Sequence, residues 1–373
     1  MQEIVKRDYL INFAVIGLLI ASLTALFHAT MDMPGSDFFI KQVFYMILGG
    51  IVALVLSKCD YRFLAKHAPI LYVCGIVFLM SVFVLGKKVN GALSWIDLGI
   101  LNIQPSEVTR ITTLLLLARF YEQNKGHFIK TKDLAKTAVV LIIPTGLVLV
   151  QPDLGMALIY FSMLGCFLIL TRLAKWVPIT AIAGACIVGI SLYILYVISP
   201  TAFFEVVRPH QFERLTSFMH PEDDPLGAGY QYIQARKIVG SGQLTGAGIL
   251  YMLASKAGKL PEKHTDFIFA TIAHQWGFIG ASLLLMLYFL LFYRLVHWAM
   301  KTPDPFASFF ISGMVTMWVF QVFVNIGMNI GLSPITGLTL PFISYGGSSL
   351  LSNMIALGII FSMREVSPLL ELE

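Results

Sequence analysis

Charge is what this sequence has least of. Only 13% of its 373 residues are Asp, Glu, Lys or Arg, against roughly 25% in a soluble domain. Too little polar surface remains to coat a globule of this size, which excludes a soluble fold. Cysteine is scarce as well. Cys74, Cys166 and Cys186 sit inside apolar runs, Cys59 lies at the end of one, and no CxxC pair occurs. Single thiols in such surroundings behave as small hydrophobes, which leaves no disulfide framework and no cysteine zinc site. Internal repeats, heptads, inverted repeats and low-complexity tails are lacking too. No glycine spacing matches a P-loop, so nucleotide binding is not indicated.

What the chain has instead is apolar length. Hydrophobic residues make up 57% of it, gathered in runs near the 20 residues that a helix needs to cross a hydrocarbon core of about 30 Å. The runs cover 9–30, 38–57, 68–86, 106–120, 137–151, 154–171, 176–198, 267–293, 306–330 and 346–363. They predict an all-α polytopic membrane protein of about ten transmembrane helices, one membrane domain over 1–373. The first run follows Lys6 and Arg7 but lacks a small-residue cleavage pattern, and reads as a retained span. A net charge of +5 is then a topology signal rather than a nucleic-acid footprint. With both termini cytoplasmic, more than half of the 26 Lys and Arg residues fall on inner segments, while the short outer segments hold only Lys41, Lys87 and Lys88. The long polar stretch 199–265 is thereby predicted to be a large extracytoplasmic loop, and 87–105 a second irregular stretch on the same side.

Polar groups inside such helices usually have a partner or a task. Glu107 and Arg110, spaced i,i+3 at the outer start of the fourth run, share a face and can neutralise each other, either as a structural pair or inside a cavity that meets a charged lipid. Asp153, after Gln151 and Pro152, suits a helix cap. Asp266 stands where the long loop enters the membrane. It could cap the next helix, join His264 on a metal, or act as a general base. The metal reading is weak, because residues at i and i+2 do not share a helix face and no His/Cys cluster completes a ligand set. The loop also carries Arg208, Arg214, Arg236, Lys237, Lys256, Lys259 and Lys263 among glycines. Cations on flexible backbone suit a diphosphate, and equally suit a solvated basic loop.

Several segments taken together resemble one family. They are Asn90-Gly91-Ala92 with Trp95-Ile96-Asp97-Leu98-Gly99, Gln104-Pro105-Ser106-Glu107, Gln151-Pro152-Asp153-Leu154-Gly155 and Asp224-Pro225-Leu226-Gly227-Ala228-Gly229-Tyr230-Gln231. After these come Pro261-Glu262 through Phe269, Asn325-Ile326-Gly327-Met328, Pro334, Thr336-Gly337, and Pro341 through Ser349. In this order they resemble the RodA/FtsW polymerases of shape, elongation, division and sporulation, with wording closer to RodA. Two positions depart from the pattern. Arg110 stands where the family usually has lysine, and Ala273-His274-Gln275-Trp276-Gly277 occupies a stretch where many members carry paired acids.

The resemblance implies glycosyl transfer on the outer face of the bacterial cytoplasmic membrane, from lipid II onto a growing lipid-linked glycan, for elongation and shape. The donor sugar is α-linked to undecaprenyl diphosphate and the product bond is β-1,4, so the reaction inverts and needs one base on the acceptor hydroxyl. Asp266 matches the family's essential acid. Asp153, Asp223 and Asp224 are next in line should Asp266 prove a cap. Glu107, Arg110, Asp153, Arg208, Arg214, Lys263, His264 and Ser344 are the expected cavity or substrate-binding residues. Offset of the diphosphate charge falls to loop cations or to a divalent cation such as Mg2+, with no metal-ligating residues assigned. A class B penicillin-binding protein is the implied transpeptidase partner, beside membrane lipids and without nucleic acid. Competing readings are a lipid II flippase, which needs no base at the outer surface, a division or sporulation polymerase of the FtsW kind, and a noncatalytic scaffold, whose activity would be indifferent to Asp266.

Overall fold

The computed structural model describes residues 8–30, 37–89, 92–97, 99, 102–124, 131–171, 176–224, 227–248 and 260–366. Lys6, Arg7, Asn90, Gly91, Leu98, Lys125, Lys130, Arg172, Lys175, Pro225, Leu226, Lys256 and Lys259 lie outside the described residues. Thirteen α-helices dominate: α1 Tyr9–Thr30, α2 Phe38–Lys58, α3 Tyr61–Leu85, α4 Pro105–Gln123, α5 Thr131–Val150, α6 Leu154–Leu170, α7 Trp176–Ile198, α8 Pro200–Val206, α9 Pro209–Met219, α10 Ala228–Ser241, α11 Ile268–Lys301, α12 Pro305–Ile330 and α13 Gly347–Val366. Six of them, α1, α2, α3, α5, α11 and α12, contain a stretch long and apolar enough to cross a membrane, and α6 and Cys186–Ile198 are shorter apolar helices. The chain is an all-α, multi-pass membrane protein.

Each of the ten predicted runs coincides with a helix, but α4 and α13 owe their lower apolarity to a shared polar seam described below. Several boundaries moved, among them the start of α5, at Thr131 rather than 137. The third helix starts at Tyr61, seven residues before the apolar run, because Asp60 caps it by accepting the Arg62 N–H and carries Arg62 and Lys66 into the helix. The run 267–293 extends to Lys301.

Burial identifies the central post. Of the apolar window of α12, 67% is buried inside the protein, against 22% for α2, so α12 is surrounded by protein where α2 faces lipid. Neighbours close in through small residues, as membrane helices do when no hydrophobic force separates protein from lipid. A Cβ on Gly358 of α13 would come within 2.8 Å of the Ala53 carbonyl oxygen of α2.

Helix α11 is broken. Gly277 takes φ 64° and ψ −162°, a conformation open to glycine alone, and the helix hydrogen bonds lost there are replaced from the segment after α10. The Phe278 and Ile279 N–H groups donate to the Gln243 and Leu244 carbonyls at 2.8 and 3.1 Å, and Ala247 N–H donates to the His274 carbonyl at 2.9 Å. The second half, 278–301, is about 36 Å long at 1.5 Å per residue and alone suffices to cross a bilayer.

The two irregular stretches are structured. Within 87–103, β1 Lys87–Val89, β2 Ala92–Asp97 and β3 Asn102–Ile103 form a three-stranded antiparallel sheet in the order β1-β2-β3. The polar stretch 199–265, expected as a loop, contains α8, α9, a 3-10 turn at Pro221–Asp223 and α10. Proline at the first turn of α8 and of α9 starts both helices, where its missing N–H costs nothing.

Candidate active site

The heads of α4, α6, α11 and α13 meet at one end of the bundle, together with the sheet and α9. Gln104 ties three of them. Its backbone N–H donates to Ser348 Oγ at 3.0 Å and its side-chain amide to Asp153 Oδ2 at 2.8 Å. Between these heads lies a cavity of about 390 Å³. Its walls carry Glu107, Asp153, Glu262 and Asp266, with Arg214 reaching in from α9 and Lys87, Trp95 and Asp97 at the sheet.

Asp266 lies in the turn before α11. The N-cap position of α11 is Phe267, with no side-chain cap bond. Capping by Asp266, one of the readings open from sequence, is therefore not what the carboxylate does. Among the described residues no donor bonds it. The helix head is served from elsewhere, because Asn329 of α12 accepts the Ala270 N–H at 3.1 Å. Burial pushes the Asp266 carboxyl up to about 7, the Glu262 carboxylate adding to the shift, Arg214 opposing it and Asp153 adding again. Glu262 has φ 52°, and its carbonyl accepts both the Thr265 and Phe267 N–H groups at 3.2 and 3.1 Å. That strained turn presents two carboxylates to one space. Opposite them, Gly337 (φ 77°) brings its backbone so near that a Cβ there would lie 3.6 Å from both Asp266 Oδ2 and Arg214 Nη1. The positive φ favours glycine at 337, and its lack of a side chain leaves the space beside the acid and the cation open.

Asp153 does cap α6, its Oδ1 accepting the Met156 N–H at 3.0 Å. Burial raises its pKa first. The Met156 N–H then pulls it down, Glu107 raises it, and Arg214 and Gln104 lower it.

Glu107 and Arg110 form the expected ion pair, 2.6 Å apart. Glu107 faces the cavity, while Arg110 lies behind it with no exposure. The guanidinium is held further by Gln321 Oε1 at 3.1 Å, Ser352 Oγ at 3.1 Å and Asn353 Oδ1 at 2.8 Å, and Ser352 Oγ donates back to Glu107 at 2.8 Å. This is the polar seam that α4 shares with α12 and α13.

The other expected residues stand apart from the cavity. Arg208 is exposed at the start of α9. Lys263 is 2% exposed and buried in the turn. His264 stacks on Phe38 with ring centroids 4.5 Å apart, and burial lowers its pKa. Ser344 Oγ donates to the Thr265 carbonyl and accepts the Leu340 N–H, both at 2.7 Å, which braces the turn. Asp224 is held by the Gly227 and Gly229 N–H groups, which depress its pKa. His274, in the stretch where this chain departs from the paired acids of many family members, meets Ser241 Oγ at 2.7 Å.

Sequence reasoning missed Glu262, Trp95, Gln104 and residues 336–339 as cavity walls. All but Trp95 and Gln104 lie in turns whose shape depends on distant partners. Although five carboxylates line the cavity, among the described residues no three His, Cys, Asp or Glu side chains come together closely enough to hold a metal ion.

The sequence profile of the FtsW/RodA/SpoVE family of cell cycle proteins matches residues 7–367. The chain belongs to that family. The peptidoglycan glycosyltransferase MrdB of Escherichia coli K12 is 34% identical to it over 87% of this chain and 85% of that protein. A chain from a peptidoglycan synthase complex, solved to show how polymerisation and crosslinking are coordinated, superposes with a TM-score of 0.77 at 31% identity, covering 97% of this chain and 99% of that one. The Thermus thermophilus rod shape determining protein RodA superposes with a TM-score of 0.71 at 27% identity, over 97% and 98% of the two chains. In this FtsW/RodA/SpoVE member the family motifs quoted from sequence, where described, thus supply the heads of α4, α6, α11 and α13.

Proposed function

We propose that the protein is a peptidoglycan glycosyltransferase of the RodA kind, which polymerises lipid II, with Asp266 as the general base. The observation that carries this reading is a carboxylate lining a cavity at the bundle end with no donor bonded to it among the described residues, where burial pushes it up to about 7. A base works best with a pKa near the working pH. Asp266 takes the proton of the acceptor hydroxyl as its oxygen attacks the anomeric carbon of the donor sugar. The bond from that carbon to the diphosphate oxygen breaks with inversion, and the diphosphate departs with the electron pair. Arg214 is placed to offset its charge. The Gly347, Ser348 and Ser349 N–H groups at the head of α13, which have no acceptor among the described residues, supply further positive potential.

The cavity lies at the end of the bundle that carries α8–α10 and the sheet. The basic distribution of the sequence puts that end outside the cytoplasmic membrane, with both termini inside. A class B penicillin-binding protein is the transpeptidase expected to dock here, a reading supported by the likeness to a chain of a peptidoglycan synthase complex that coordinates polymerisation with crosslinking. Purified protein, alone and with that partner, incubated with labelled lipid II should give glycan strands separable by length. Headgroup transfer across vesicles without polymer, unaffected by Asp266→Asn, would instead identify a flippase.

A further inference from the structure

Asp266 is held by its backbone. Asn325 and Asn329, one turn apart on α12, both donate through Nδ2 to the Asp266 carbonyl oxygen, at 3.0 and 3.2 Å. Asn325 gives a second bond to the Leu338 carbonyl at 2.7 Å, beside Gly337 on the opposite wall. Asn329 accepts the Ala270 N–H. Both asparagines have no exposure. One buried carbonyl needs one partner, and two side-chain amides converging on it from the central helix exceed that need.

We propose that Asn325 and Asn329 are positioning residues for the transfer reaction, pinning the Asp266 peptide and capping α11 in its place so that the carboxylate stays turned to the cavity. The inference rests on the reading of Asp266 as the base. Its physical content is geometric. Two bonds on the carbonyl fix the peptide that follows Asp266 against α12, and so hold the backbone from which the carboxylate lines the cavity. Competition matters as well. An aspartate just before a helix ordinarily bonds the first-turn N–H groups, and such bonds stabilise the ionised form and weaken a base. With Asn329 on the Ala270 N–H, that bond is not available to Asp266. Asn325 adds the width of the site, since one amide group spans the Asp266 and Leu338 carbonyls and so ties the acid's turn to the wall that faces it.

The test compares Asn325→Ala and Asn329→Ala with wild type in lipid II polymerisation, as kcat, KM and pH profile, with the melting transition as a fold control. Both variants should lose kcat by about 10- to 100-fold, the usual consequence of a displacement near 1 Å in a catalytic group, with KM little changed. In Asn329→Ala the acid limb should also move to lower pH, because the freed Ala270 N–H captures the carboxylate. The charged groups that face Asp266 are Glu262 on its own turn, Arg214 from α9 and Asp153 at the head of α6, and all remain in place. If Asn329→Ala fails to fold, Asn325→Ala carries the test: it removes the donors to the Asp266 and Leu338 carbonyls but no acceptor of a helix-head N–H, and should lose kcat without moving the limb. Wild-type kcat in the folded variants, or a loss that follows the melting transition with the Asn329→Ala limb unmoved, overturns the positioning role. Asp266→Asn in the same assay separates the two ideas. If it is active, the base reading falls. If it is inactive while the asparagine variants keep wild-type kcat, only the positioning role falls.

Discussion

Helices α6 and α11 begin at the same cavity, each with an aspartate just ahead of it, and the two aspartates do different things. Asp153 spends one oxygen on the Met156 N–H and the other on Gln104, so it closes its helix and stitches it to α4. Asp266 gives its carboxylate to neither task. Its helix is capped by Asn329, and among the described residues its hydrogen bonds run through its carbonyl. Burial raises both carboxyls, but the donors around Asp153 oppose the shift and Asp266 has only Arg214 to do so. An acid at a helix head is free for chemistry when something else satisfies the head.

The sharpest way to break this comparison is to remove one basic oxygen. Asp266→Asn should cut polymerisation by about 100- to 10,000-fold, the usual share of a positioned acid–base group, while the melting transition stays at its wild-type value because no hydrogen bond is lost. The same change at Asp153 leaves an amide that still caps, so Asp153→Asn should retain far more activity. Equal losses in the two variants, measured as glycan formed per unit time, would erase the distinction.

Next in size is the pair behind them. Glu107→Gln or Arg110→Met strands a charge where it cannot be solvated, at a cost of about 3–5 kcal/mol for a buried pair, to be read from denaturation in detergent. The double exchange Glu107→Arg with Arg110→Glu should restore stability better than activity, since only the outer member meets the cavity. Smaller still is Asp153→Ala, which removes the cap of α6 and should cost about 1 kcal/mol in the same measurement.

The smallest effect is a displacement on the pH axis. A base must be ionised, so the rate should fall as pH drops through about 7. Glu262 raises the Asp266 pKa and Arg214 lowers it. Glu262→Gln should therefore move the acid limb to lower pH, and Arg214→Gln should move it to higher pH. Shifts in the reverse sense would show that the limb belongs to another group.

The sequence made the helices legible because apolar length is a local property. It also put Glu107 beside Arg110 and Asp153 at a cap, both governed by neighbours three residues away. It could not tell whether Asp266 caps α11, because Asn329, which accepts the Ala270 N–H in its stead, lies a whole helix further along the chain. Arg208, Lys263 and His264 looked like cavity cations for a similar reason. Charge is visible in sequence, whereas the tight turn that buries Lys263 and stacks His264 on Phe38 is not. The helices inside 199–265 were hidden by their shortness and polarity, and the break in α11 by the single glycine that marks it.

That break has a consequence for the order in which the protein can be made. The backbone that repairs it, around Gln243, Leu244 and Ala247, precedes α11 in the chain, so it has already been synthesised when Gly277 leaves the ribosome, and the joint can close during translation. The corner around Asp266 cannot. Its carbonyl waits for Asn325 and Asn329, and its opposite wall for residues 336–349, all of which come from the last part of the chain. A nascent chain that ends before α12 holds the joint but not the acid in its place, which makes the corner that holds Asp266 among the last parts of the protein to be assembled.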